Sequence, residues 1–323
     1  MEHVQDSPAI ILAGRAAWLL VPLLIVSGVT GAAEPDEGSQ GVQPKPPFLA
    51  ISYLIVPQAD FESAPSESEV ETKEFRIAAG LYGFGDESFS GDIGLDYQYT
   101  RYQYAGIDGR NRDLHWLQLP IGFAGQRLGW QIDGYLAPGV FTSSNVMKDL
   151  FGNGSSDDFA LTGRIEGLHV AGHDTRWLAG VAYDRSFGEP TLYPVAGIVS
   201  RPRDDLRIRL AFPDSELSYQ PSERQTWTGR LFPSGNEWHV VSEELNDEFD
   251  YSVEAWRAQA WWSYRAWRNL FIDLSAGYEF ARHFDFVDDT GVRVNTDADD
   301  QYFFSLGLRL GPARIPHGQS VSR

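Results

Sequence analysis

Beyond an apolar leader the chain carries His115, His169, His173, His239, His283 and His317. An imidazole can act as a general base where a Ser or Asp stands beside it. None of these histidines lies in a His-x-Ser-Asn arrangement, and no pair stands at metal-site spacing on an expected helix or hairpin. His173 falls in a short turn and His317 in the C-terminal tail. That leaves His115, His239 and His283 as the positions from which a hydrolase could work.

Carboxylates are the second chemical resource. Asp288, Asp289, Asn295, Asp297, Asp299 and Asp300 cluster, and Asn295-x-Asp297-x-Asp299 has the opening spacing of a calcium loop. Asp300 stands where that loop needs Gly, and Leu306 where it needs a bidentate Glu, so the cluster reads as a solvated loop. The neighbours Asp204-Asp205 and Asp288-Asp289 would point to opposite sides of a strand, which removes them as catalytic pairs. No Gly-rich phosphate loop follows a strand and opens a helix. The residues therefore assign no catalytic group, no cofactor and no metal.

The 323 residues hold 26 Lys+Arg against 45 Asp+Glu, a formal charge of −19, and no Cys. A disulfide scaffold and a Cys-ligated metal centre are excluded, and nucleic acid is an unsuitable partner for so acidic a surface. Residues 16–33 are uncharged, with an apolar run from Ala16 to Val26 after Arg15 and small residues up to Ala33. This order predicts a signal peptide over 1–33, cut after Ala32 or Ala33, and hence export. Residues 34–46, rich in Pro and Gly, read as a flexible lead-in.

From residue 47 the chain alternates with period two. Leu270, Ile272, Leu274, Ala276, Tyr278 and Phe280 point one way, against Phe271, Asp273, Ser275, Gly277 and Glu279. Tyr302, Phe304, Leu306, Leu308 and Leu310 repeat the design against Ser305, Gly307 and Arg309. Apolar rows that end in aromatics (Trp177 and Tyr183, Trp256, Tyr278 and Phe280, Tyr302) resemble interfacial girdles, so these, with Leu270, Leu274 and Phe304, are expected to face lipid. The opposite rows supply the expected lumen: Arg76, Asp96, Asp133, Arg164, Glu166, Arg207, Arg209, Asp273, Glu279 and Arg309. Arg164 with Glu166, and Arg207 and Arg209 with Asp184, are candidate cross-pairs.

Short links at 85–88, 125–127, 171–174, 201–205, 220–224 and 265–268 alternate with mostly long polar ones at 59–70, 105–113, 141–157, 233–249 and 283–299. Short periplasmic turns and long outer loops have this rhythm. The fold expected is all-β: an antiparallel transmembrane β-barrel of 12–14 strands over 47–310, with a tail at 311–323. His115, His239 and His283 then fall near the outer rim. Acidic loops (Glu62, Glu67, Glu69 and Glu71; Glu243, Glu244, Asp247, Glu248 and Asp250) would concentrate cations at the mouth.

The stretches Tyr53 to Phe61, Gly94-Leu95-Asp96-Tyr97-Gln98-Tyr99-Thr100 and Tyr193-Pro194-Val195-Ala196-Gly197-Ile198, with Arg201-Pro202, Phe212-Pro213 and Tyr219, are similar to an uncharacterised family of bacterial outer-membrane β-barrels. The resemblance covers most of 47–310 and implies fold and location, not an activity. Outer-membrane lipids, lipopolysaccharide and the outer-membrane assembly machinery are the partners it implies. The last strand departs from the usual terminal aromatic, ending at Leu310. The role expected is a narrow channel or structural envelope protein of the Gram-negative outer membrane, its solute unspecified. The alternatives are an outer-membrane hydrolase using a rim histidine and an exported soluble all-β binding domain.

Overall fold

The computed structural model describes residues 48–62, 68–86, 88–106, 111–242, 247–288 and 290–311. The expected signal peptide and lead-in, and the tail beyond Gly311, lie outside them. The described chain is β1 (Phe48–Asp60), β2 (Glu69–Gly85), β3 (Phe89–Ala105), β4 (Arg112–Gln118), β5 (Ile121–Arg127) and β6 (Trp130–Ser143). Two short helices, α1 (Ser144–Lys148) and α2 (Leu150–Asn153), follow. Then come β7 (Phe159–Val170), β8 (Thr175–Phe187), β9 (Glu189–Arg203), β10 (Leu206–Phe212) and β11 (Ser215–Ser222). The chain finishes with β12 (Gln225–Pro233), β13 (Asn236–Ser242), β14 (Asp247–Trp267), β15 (Leu270–Val287), β16 (Arg293–Ala298) and β17 (Gln301–Leu310).

Six of these are the halves of three interrupted staves. β4 and β5 both pair with β3 and β6, and are divided at Leu119-Pro120, where Pro lacks the N–H that a ladder needs. β12 and β13 both pair with β14, and β16 and β17 both pair with β15. The result is a barrel of 14 staves. It is closed by β1 against β17, antiparallel from Leu49↔Leu310 to Ile55↔Phe304.

Alternation in a closed barrel gives every stave an inner and an outer row. The outer row exposes Ile51, Leu81, Ile121, Leu161, Val181 and Leu217, among others, around the circumference. No soluble surface sustains so continuous an apolar band, whereas hydrocarbon solvates it at no cost. The soluble-domain alternative required these rows to form a core; they lie outside.

The wall is two-tiered. Above Ser234-Gly235, β13 leaves the side of β11 and meets β6 in a parallel bridge, His239↔Thr142. The tip of the β8–β9 hairpin tucks beneath, its Ser186 carbonyl accepting from the Gly235 N–H at 2.8 Å. The upper tier is therefore a smaller ring than the barrel below it, and a smaller ring has room only for side chains. It is filled by Phe61, Tyr102, Phe141, Trp238, Tyr251, Phe284 and Phe286, all buried. Tyr102 stacks on Tyr251 at 5.3 Å between centroids, Tyr251 on Phe286 at 5.3 Å, and Tyr104 on Phe286 at 5.2 Å. The Tyr104 and Tyr251 hydroxyls bond to each other.

Two expected loops are thus corrected. Segments 233–249 and 283–299 are not simple loops: β13, the upper part of β15, and β16 occupy most of them. Their acidic residues clamp strands. Asp285 takes two bonds from Arg293, one of 2.8 Å, and Asp288 accepts from the N–H groups of Thr290 and Val292, both at 2.9 Å.

Candidate channel lumen

The inner row of the lower tier carries charge in linked groups. Arg257 bridges Glu74 and Glu279, each at 2.5 Å, and Glu279 also pairs with Arg282 at 2.9 Å. The Arg282 Nη1 donates to the carbonyl of Asp299 at 3.0 Å. A second group joins neighbouring staves: Arg209 donates twice to Glu166, at 2.9 and 3.1 Å, while Arg164 pairs with Glu166 at 2.8 Å and Asp214 at 3.0 Å. Arg207 and Arg230 each lie 3.6 Å from Glu216. Lower down, Arg309 contacts Asp273 at 3.3 Å and Ser263 at 3.0 Å, with its guanidinium 4.3 Å from the Phe271 ring. Arg76 is bonded to Asp96 through Nε at 2.8 Å. Asp133 stands opposite Glu166 in the β6–β7 ladder.

These ionic links roughly offset their own desolvation, so they add little net stability; they fix register and fill space. Their selection is geometric. Residues two apart on one strand share a face, which brings Arg164 to Glu166. Arg282 stands three positions beyond Glu279, and both still point inward because Ala281 adopts φ +52° in a bulge between them. The expected pairing of Arg207 and Arg209 with Asp184 does not form. Asp184 instead accepts from the Tyr193 hydroxyl at 2.6 Å and the Ser186 N–H at 2.9 Å, because the stagger between staves carries β10 toward Glu166 and β11.

Arg76 is the informative exception to burial. Its side chain is 48% exposed although it occupies the inner row, while Arg209 is 5% exposed. The lower tier around Arg76 and Asp96 thus holds solvent-sized space, while the upper tier above it is filled by buried rings. Of the belt candidates, Trp177, Tyr183, Leu274, Tyr278, Tyr302 and Phe304 are exposed on the outer row. Trp256, Leu270 and Phe280 are half-buried in the same rows.

Tyr278, Phe280 and Tyr302 mark the upper edge of the apolar band, so β13, β16 and the parts of β14 and β15 paired with them stand beyond it. There, two Arg293 bonds hold the Asp285 carboxyl below the usual range. Burial pushes Glu237 up to about 7, against the pull of Arg185 at 3.6 Å.

The histidines separate. His169 rests on Trp130, 5.0 Å between ring centres, and His173 is exposed in its turn. His239 lies between Asp250 at 3.4 Å and Glu248 at 3.6 Å, and His283 bonds to Asp297 at 2.7 Å. His115 has a hydroxyl on each ring nitrogen: Tyr97 at 2.9 Å and Ser144 at 2.7 Å. Sequence spacing points to neither Ser144 nor Arg282, since a bulge and a helix entry place them. Among the described residues, no group of three or more His, Asp or Glu side chains is arranged to hold a metal ion.

A closed antiparallel wall, an apolar outer band and an ionic inner row settle the class. The chain is an outer-membrane β-barrel. No protein-family model and no curated protein matches it. Among solved structures it is similar to an outer-membrane channel of Pseudomonas putida F1 at 9% identity, over 86% of this chain and 99% of that one, with a TM-score of 0.45. The toluene transporter TbuX of Ralstonia pickettii gives 11% identity, 85% and 92% coverage, and a TM-score of 0.43. The KdgM porin gives 9% identity, 82% and 99% coverage, and 0.35. The barrel's own geometry, and not these distant likenesses, decides its class.

Proposed function

We propose that the barrel is a narrow channel whose lower lumen, lined by the ionic groups of Arg76, Asp96, Asp133, Arg164, Glu166, Arg207, Arg209, Asp273, Glu279 and Arg309, is closed at its outer end by the aromatic tier. The observation that carries the reading is the contrast between the solvent-exposed Arg76 below and the fully packed Tyr251, Phe284 and Phe286 above. Fourteen staves enclose more space than an eight-stranded barrel filled by side chains and less than a porin. Acidic residues at the outer end would raise the local cation concentration. On this reading the outer rows contact outer-membrane lipid, the outer acids contact lipopolysaccharide through divalent ions, and the assembly machinery inserts the exported chain.

The test is ion flow through the purified barrel in a planar bilayer under a salt gradient. Small conductance steps, as a lumen closed by packed rings requires, with a reversal potential on the cation side support the channel and its charge, and large steps in the wild type would remove the closure. Anion preference would remove the role given to the acidic mouth.

A further inference from the structure

The outer wall carries a second arrangement, separate from the lumen. His115 lies on the outer row of β4, opposite Tyr99 of β3 and Thr142 of β6. Its Nδ1 is 2.9 Å from the Tyr97 hydroxyl and its Nε2 is 2.7 Å from Ser144 Oγ, the first residue of α1. The imidazole is held between the Tyr97 and Tyr99 rings, with centroids at 6.0 and 5.3 Å. Tyr99 is fixed in turn by its 2.5 Å bond to Asp113. When Nδ1–H donates to the Tyr97 oxygen, Nε2 is left to accept from the Ser144 hydroxyl. That is the relation between a nucleophile, its base and the group that orients the base. The next acceptor for Ser144, the Asp113 carbonyl, is farther away at 3.3 Å. Lys148 lies four residues on, one helical turn away, and its charge is felt at His115.

Depth supplies the second observation. One step below His115 and Thr142 on the same outer rows are Leu117 and Val140, and beside Val140 is the exposed Phe159. The pair therefore stands where the apolar band ends and tyrosines begin. Interfacial aromatics occupy the headgroup level, and a lipid's ester carbonyls lie next to that level.

We infer that Ser144 and His115 form a hydrolytic site for the carboxylic esters of membrane lipids. Ser144 Oγ attacks the ester carbonyl carbon as its proton passes to His115 Nε2. The charge of Lys148, which reaches His115, favours the oxygen that becomes negative. The carbonyl re-forms, the bond to the lipid alcohol breaks, and the alkoxide takes the proton from His115. Water then adds to the acyl-Ser144, giving its proton to His115, which returns it to Ser144 Oγ as the fatty acid leaves. Tyr97 is a positioning residue.

The experiment uses the full-length barrel in vesicles of dipalmitoylphosphatidylethanolamine, with release of palmitate as one readout and labelling by a fluorophosphonate as the other. The wild type should release palmitate and carry the label on Ser144. Ser144→Ala and His115→Gln should each lower the rate by about a thousandfold. Tyr97→Phe should lower kcat per fluorophosphonate-titrated Ser144 with KM unchanged, whereas a loss of structure would lower the number of titrated sites and leave the rate of each unchanged. Conductance and the heat-dependent gel shift should be the same in all three variants, so the result is independent of the channel reading. The inference is overturned if the wild type releases no palmitate above a protein-free control, if the label falls on another residue, or if Ser144→Ala keeps the wild-type rate.

Discussion

Glu279 and Arg282 share the barrel interior, 2.9 Å apart, although an unbroken strand would turn them to opposite sides. The bulge at Ala281 changes the parity of β15, and it does so where the lower ionic lumen gives way to the aromatic tier. Below it, odd-numbered residues such as Asp273 and Glu279 face inward; above it, Arg282, Phe284 and Phe286 do. One residue of extra length thus divides a wet tier from a dry one.

Removing the shared carboxylate exposes how these groups are coupled. Glu279→Ala leaves Arg257 with only Glu74 and strips Arg282 of its carboxylate partner, and a broken buried pair costs about 3–5 kcal/mol. Urea titration followed by the heat-dependent gel shift should show the midpoint falling accordingly. An unchanged midpoint would mean that water already solvates the group.

The two rows of β15 should respond differently to the same charge. Leu274→Arg places a cation in hydrocarbon and should cost about 2–4 kcal/mol with impaired assembly, while Ser275→Arg adds one to the inner row and should be tolerated better. Equal amounts of folded protein in the outer-membrane fraction would contradict the facing of these rows.

Alternation makes the wall legible in the sequence, because a period of two fixes which residues share a face and a closed antiparallel sheet leaves no other use for so many apolar rows. Arg164 and Glu166 meet for that reason. Arg209 and Asp214 do not announce their partners, since contact between staves depends on stagger, which local spacing does not encode. The aromatic tier is hidden for a sharper reason. Phe284 has the same parity as Leu274 and Phe280, so strict alternation turns it outward, and the bulge that reverses it sits at Ala281, a residue with no turn signal of its own. The density of Asp and Asn around it reads as loop, whereas those carboxylates clamp β15 to β16. Ser144 stands 29 positions beyond His115, with β5 and β6 between them, so no local spacing links its hydroxyl to the imidazole.

The upper tier should loosen as the pH rises. Glu237 is held near 7 by burial, above its ordinary 4.5. A raised folded value favours the protonated form, so its contribution to stability is complete below about 4.5 and is lost as the pH rises through 7. Amide exchange across Asn236–Ser242, corrected for the intrinsic rate, should show less protection at pH 8 than at pH 6. Glu237→Gln should abolish the difference, and a wild type without any difference would dissociate Glu237 from the packing of β13.

Truncating the rings that fill the upper tier tests its closure most directly. Phe286→Ala and Tyr251→Ala each remove a ring from the centre of the stack, at a cost of about 3–5 kcal/mol for a buried aromatic. Single-channel conductance of the doubly substituted barrel in a planar bilayer should exceed that of the wild type severalfold, with the gel shift confirming that the barrel is folded. A folded double variant that conducts no better than the wild type would contradict an aromatic closure of the lumen.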